Sequence, residues 1–381
     1  MTDTLRFCEA ERPWLLETIE ALVRLESPST DKAAVDRCGA ELARRLTAAG
    51  GRVERVPQVE RGDHVRAVFP GGTTQVLVLG HYDTVWPVGQ IERMPLVERD
   101  GRLHGPGIFD MKSGIAVAIL AARAMRGTPR ATPPTIVMLW TTDEEIGSAT
   151  SRALIEREAR ASAAVLVLEP SLPGGAAKTS RKGCGEFELV VHGISAHAGL
   201  DPGTGASAIH ELARQIIAIE AIQDLPRGIS VNVGVIAGGS RANVVAAEAR
   251  ATIDVRVPAM ADVARVESAL AGLSPELRGT RLELRGGVDR PPLERSDRVV
   301  RLYELAKGIA ADLGRTLGEG GAGGGSDGNF TAAAGVPTLD GLGPAGDGAH
   351  AAHEHVIVDD LAWRAALVCE LIARVGAEQK D

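Results

Sequence analysis

Three short apolar runs, each broken off by side chains able to hold a metal ion, constrain this chain more than any other feature. Residues 76–79 read VLVL and stop at Gly80-His81-Tyr82-Asp83. Residues 136–140 read IVMLW and stop, after two threonines, at Asp143-Glu144-Glu145; residues 164–168 read AVLVL and stop at Glu169-Pro170. A run that is apolar at every position, not at every second one, suits a strand covered on both faces. Helical patterns fill the gaps at 113–125 and 151–161. The order strand, helix, strand, helix, strand predicts a parallel α/β layer. In open parallel sheets ligands gather beyond the carboxyl ends of the strands, so residues far apart in sequence are expected to meet there.

The acids at 143–145 are costly straight after a buried strand, because adjacent carboxylates repel and disfavour one another's ionisation. A dication among them is one answer, since one carboxylate can ligate while its neighbour handles a proton. A solvated acidic loop, or a helix N-terminus whose dipole welcomes acids, is another, and this stretch alone does not choose. His81 and Asp83 stand two residues apart, which in extended chain puts both side chains on one face. Asp83 is then placed to hydrogen-bond the imidazole and fix its tautomer. Asp110, ahead of a helix, adds another carboxylate. A bridging carboxylate is one way to hold two cations about 3.5–4 Å apart.

A length of 381 residues predicts two domains, and 44% hydrophobic with 24% charged residues describes an ordinary soluble protein. The net charge of −8 argues against nucleic acid or an anionic membrane surface as the main partner. No signal peptide or membrane span is expected from the N-terminal stretch or from any later run. Cys8, Cys38, Cys184 and Cys369 are far apart and fit neither a zinc ribbon nor a disulfide framework, which points to a reducing cytoplasm.

Before the first apolar run the periodicity predicts helices over 14–26, opened by Pro13, and 34–49, stopped by Gly50-Gly51, with strands at 53–56 and 65–69. From about residue 178 the texture changes to strand, helix, two strands, helix, strand, the order of a ferredoxin-like module. Residues 178–287 are therefore read as an inserted α+β domain. The first domain, residues 1–177 and 288–381, is read as α/β with a mostly parallel sheet and helices on both faces. Its second part carries a helix over 299–313, glycine-rich loops at 320–325 and 341–348, a strand at 336–339 and a helix over 359–375.

Taken in order, GHYDTVW, GPGIFDMKSG, TTDEEIGS, LEP, GISAHAG, the RAN and DVRV pieces, GGGSDG and GAHAAHEHV run over nearly the whole chain. This ordered set resembles the dinuclear zinc exopeptidases and deacylases: glutamate carboxypeptidase, acetylornithine deacetylase, succinyl-diaminopimelate desuccinylase and aminoacylase. The GGGSD loop and the RPP that follows Gly286-Gly287 look most like the glutamate carboxypeptidase branch. The resemblance implies two zinc ions per subunit, with cobalt or manganese able to substitute. His81, Asp110 and Glu169 would hold the first, and Asp110, Glu145 and His350 the second. Donors of N and O type without thiolate suit zinc. Glu144 would be the general base that deprotonates the attacking water and then protonates the leaving nitrogen, with Asp83 orienting His81. The glutamate four positions on, Glu354, favours His350 over His353 and His355, which are read as surface histidines.

The resemblance further implies that the inserted domain mediates dimerisation and covers the substrate. His197 in SAHAG would reach the partner subunit's site and stabilise the oxyanion, with Asn243 assisting. Arg256 would grip the substrate carboxylate through its planar fork; an exposed charge on an alternating strand is the other reading. Lys178, Ser180 and Arg290 are candidates for contacts to an acidic substrate and equally readable as ordinary polar residues. Gly323–Gly325 either let backbone approach the substrate or form a turn. The expected reaction is amide hydrolysis releasing a C-terminal amino acid, glutamate among the candidates, from a peptide or N-acyl conjugate. An N-acyl amino acid deacylase uses the same chemistry but recognises the acyl side. A non-catalytic binding protein on the same fold would lack the base or a ligand, and here all are present.

Overall fold

The computed structural model describes residues 2–129 and 132–378. Positions 1 and 379–381, assigned above to the ends of the first domain, lie outside the described residues. The chain divides into two compact units: one runs up to Ser180, takes Arg295–Ala322 and resumes at Ser326, and the other comprises Arg181–Glu294 with Gly323–Gly325.

Helices α1 (Asp3–Ala10), α2 (Arg12–Arg24) and α3 (Lys32–Ala48) open the first unit. The sequence reading missed α1, a segment of only eight residues, half of them polar. The Thr2 side chain caps it by accepting the Leu5 N–H, and Asp31 caps α3 the same way from Ala34. Strands β1 (Arg52–Val56), β2 (His64–Phe69) and β3 (Gln75–His81) follow, then a hairpin of β4 (Val97–Arg99) and β5 (Arg102–His104). Helix α4 (Ser113–Gly127), β6 (Thr135–Thr141), α5 (Arg152–Arg160) and β7 (Ala164–Val167) complete the first half.

β8 (Ala177–Arg181), in the first unit up to Ser180, leads into β9 (Gly183–His192), α6 (Ala208–Glu220), β10 (Ser230–Gly238), β11 (Glu248–Val257), α7 (Met260–Ala271) and β12 (Arg281–Arg290) of the second unit. These last four strands form an antiparallel sheet in the order β10-β11-β9-β12, with its own apolar core. β12 is twice as long as the alternation at 281–285 suggests, because Gly286-Gly287 interrupts the pattern without ending the strand; it carries the unit's boundary to Glu294.

The chain returns through α8 (Asp297–Asp312), β13 (Glu319–Ala322), α9 (Gly328–Ala333), β14 (Thr338–Leu339), β15 (Gly346–Asp347), β16 (His355–Ile357) and α10 (Val358–Glu378). The expected glycine loop at 320–325 is thus strand in its first part, where Glu-Gly-Gly-Ala pairs with β8. Glycines that hide strand propensity leave only 323–325 as loop.

The central sheet has the order β1-β2-β6-β3-β7-β14, parallel from β6 to β14 and antiparallel at the β1-β2 edge. Val76, Val78, Ile136, Met138 and Trp140 pack into one core with α4 and α10, while Leu77, Leu79, Val137 and Leu139 pack on the other face with α5 and Phe330 of α9. Burial on both faces is what made the runs continuous. Register then aligns their ends: His81 pairs with Thr141, and Leu79 with Val167, two residues before Glu169. No helix among the described residues is long and apolar enough to cross a membrane.

Candidate metal centre

At this aligned edge the side chains converge. His81 Nε2 lies 3.2 Å from Asp110 Oδ1 and 3.3 Å from Glu169 Oε1. His350 Nε2 lies 3.1 Å from Glu145 Oε2 and 3.4 Å from Asp110 Oδ2. Asp110 therefore turns one oxygen to each histidine. Two triplets result, His81-Asp110-Glu169 and Asp110-Glu145-His350, in each of which one ligand atom per residue lies within 4.8 Å of the others. His81 and Glu169 are buried, whereas the His350 side chain is 50% exposed, so the second triplet faces water.

Local backbone sets each donor. His81 ends β3, and its Nδ1 is 3.0 Å from the Asp83 carbonyl and 3.4 Å from Asp83 Oδ1, which leaves Nε2 to face the triplet. The carboxylate of Asp83 is held in turn by the Ser29 hydroxyl at 2.7 Å. The main-chain carbonyl, not the carboxylate alone, thus orients the ring. Asp110 sits where the chain enters α4, and the Asp110–Met111 peptide is cis. Glu144 and Glu145 share a single turn after β6, Glu144 half-buried. His350 occupies the left-handed region at φ 61, uncommon for a residue other than glycine.

The charges do not balance internally. Asp83, Asp110, Glu145 and Glu169 bring four carboxylates to two imidazoles. Burial works against charge on His81, but hydrogen bonds with Asp110, Asp83 and Glu169 reverse this and raise its pKa well above the ordinary value. Asp110 and Glu145 push His350 up to about 10. Burial alone would raise Asp110; the contacts with His350 and His81 hold it well below the usual carboxylate range. Burial raises the Glu145 carboxyl. Two protonated rings still leave negative charge in excess, and N/O donors grouped in threes around a shared carboxylate fit two divalent cations.

A model of "Peptidase family M20/M25/M40" matches residues 77–374, the span from β3 to α10 that carries every one of these donors. The chain belongs to this family. Membership makes it a peptidase or amidohydrolase of a group generally dependent on dinuclear metal sites. Carboxypeptidase G2 of Pseudomonas sp. is 28% identical over 375 residues, covering 96% of this chain and 90% of that one. Succinyl-diaminopimelate desuccinylase of Xanthomonas oryzae pv. oryzae is 29% identical over 363 residues, covering 90% and 94%. Among solved structures, aminopeptidase PepT from Bacillus cereus shares the fold with a TM-score of 0.80 at 24% identity, covering 96% of this chain and 98% of that one.

The remaining candidates divide between the units. Lys178 and Ser180 stand two apart on β8 in the first unit, Lys178 buried and Ser180 half-buried. In the second unit His197 is exposed, and its Nδ1 accepts the N–H groups of Gly199 and Leu200, both at 3.1 Å, which leaves Nε2 to carry the proton. The Ala198 N–H donates to the Asn243 carbonyl at 3.0 Å, so the two M20 candidates His197 and Asn243 share one loop pair. Arg256 is gripped by Asp254 through two hydrogen bonds, 2.9 and 2.7 Å, and touches Cys184; it is not a free surface charge. Arg256 and Arg290 flank Cys184 from the strands on either side.

His355 corrects the sequence reading: it is buried, its ring 5.1 Å from that of His104, and only His353 of the two is a surface residue. β16 pairs antiparallel with β5 and sets His355 opposite His104, in a sheet of short strands with no visible periodicity. The sequence assigned no contact in the site to two further residues: Asp327, seen only as part of the GGGSDG motif, and Glu354, used only for its spacing from His350. Asp327 is buried and accepts hydrogen bonds from Thr141 and Ser148, which flank the acid turn. Glu354 is buried and accepts the Asp110 N–H. An acid one serine beyond a glycine run, and another inside a histidine cluster, were the available signals.

Proposed function

We propose that this M20 hydrolase is a zinc-dependent carboxypeptidase, cleaving the amide bond before a C-terminal amino acid, glutamate among the candidates, in a peptide or N-acyl conjugate. The observation that carries this reading is the pair of N/O donor triplets sharing Asp110. His81, Asp110 and Glu169 would hold one zinc ion, and Asp110, Glu145 and His350 the other, with cobalt or manganese as substitutes. Bound there, the cations supply Lewis acidity to the carbonyl and lower the pKa of water. Glu144, adjacent to a ligand yet outside both triplets, takes the proton of the attacking water and returns it to the leaving nitrogen. Asp83 orients His81.

Arg256, fixed by Asp254, would receive the substrate's carboxylate, with Lys178, Ser180 and Arg290 as further contacts. His197, with its proton on Nε2, and Asn243 would donate to the oxyanion in the site of a partner subunit. The second unit would thus serve as lid and dimerisation domain of a cytoplasmic homodimer. The edge position of β10 and its exposed Val235 and Ile236 support such pairing. The similarity to a desuccinylase supports a second reading, in which the acyl group is the recognised part.

A panel of dipeptides and N-acyl amino acids, varied on each side of the amide, separates these readings. The expected result is release of a free amino acid that stops on adding a chelator and resumes with Zn²⁺ or Co²⁺. Absence of hydrolysis across the panel with added metal would sink the proposal. Rates that follow the acyl group and ignore the amino acid would select the deacylase reading.

A further inference from the structure

Three separate stretches of chain present His81, Asp110 and His350, and one buried carboxylate reaches all three. Glu354 Oε2 accepts the Trp86 indole N–H at 2.8 Å and the Gly107 N–H at 2.9 Å; Oε1 accepts the N–H groups of Phe109 at 2.9 Å and Asp110 at 3.1 Å. Trp86 closes the GHYDTVW stretch opened one residue before His81, residues 107–110 deliver Asp110, and Glu354 itself lies four residues beyond His350. Glu354 is 1% exposed and belongs to neither ligand triplet. A carboxylate has about four lone-pair sites, and here four N–H donors fill them. A charge is tolerated in the interior only when so satisfied.

We propose that Glu354 is the positioning residue of the metal centre. Through the Asp110 N–H it fixes the loop that lets one carboxylate serve both triplets, and it ties that loop to the stretches bearing His81 and His350. This rests on the reading that the triplets hold cations. Without Glu354 each cation would have to hold two of these chain segments together on its own, and that ordering cost would appear as weaker binding. Glu354→Gln preserves size, but its amide NH₂ would turn donors toward two of the four N–H groups, whichever way it is placed.

Metal-free protein titrated with Zn²⁺ against a competing chelator provides the test, with circular dichroism and thermal unfolding run alongside. The parent is expected to bind two equivalents, and Glu354→Gln to bind them about 10–100-fold more weakly. Trp86→Phe removes one bond at a half-buried side chain and is expected to weaken binding less, in the same direction. A folded Glu354→Gln protein with the parent's zinc affinity overturns the proposal, even if it melts earlier, because that pattern marks a purely structural carboxylate. If Glu354→Gln does not fold, Trp86→Phe decides: weakened affinity supports the role and parental affinity overturns it. A parent that binds no zinc overturns the metal reading itself, a failure distinct from zinc binding that Glu354 does not influence.

Discussion

Adjacent glutamates of identical chemistry receive different surroundings from a single turn. Glu145 points into the triplet with Asp110 and His350, while Glu144 stands beside it, half-buried and outside both triplets. Glu144→Gln is expected to lower kcat by about 10²–10⁴-fold with zinc content unchanged; a rate within a few-fold of the parent would assign the proton transfer elsewhere. His81, Asp110, Glu145 and Glu169 were legible as candidates because each is a metal-competent side chain placed after an apolar run or before a helix, whereas His350 was named through the family resemblance alone. The contacts made by Glu354 and Asp327 were not legible. Their partners are main-chain N–H groups and hydroxyls far away in sequence, and such pairings leave no local pattern.

Among the elements, continuous apolar runs were readable because β3, β6 and β7 are covered on both sides. Short strands were not: β4, β5 and β16 span three residues each, too few for alternation to register, and β13 is built partly of glycine. One helix-to-strand contact carries its own prediction. A Cβ on Gly114 in α4 would lie 2.2 Å from the Leu168 carbonyl oxygen, which cannot swing aside as a side chain would. Gly114→Ala is expected to destabilise the fold by about 1–3 kcal/mol and, by pushing on the residue before Glu169, to weaken zinc binding. Thermal unfolding and a zinc titration check both; an unchanged melting temperature would mean that α4 can retreat freely from β7.

For the molecule as a whole, the inserted order of strands and helices was legible from alternating and helical periods, but its far boundary was not, because a glycine pair divides β12. The dimer proposed through β10 predicts a solution mass twice 39.8 kDa. Ile236→Lys, on that exposed edge, should shift light scattering to the single-chain mass and lower activity, since His197 would lose its partner. A parent already monomeric at working concentration and fully active would remove the need for a second copy. One feature of the first unit reaches back to how the protein is made. Four of its five candidate donors lie before residue 170, but the fifth is residue 350 of 381, and α10, which covers α4, comes later still. On the ribosome the triplet His81-Asp110-Glu169 is therefore synthesised well before the one that needs His350, so the two proposed cations would be captured in turn and not together.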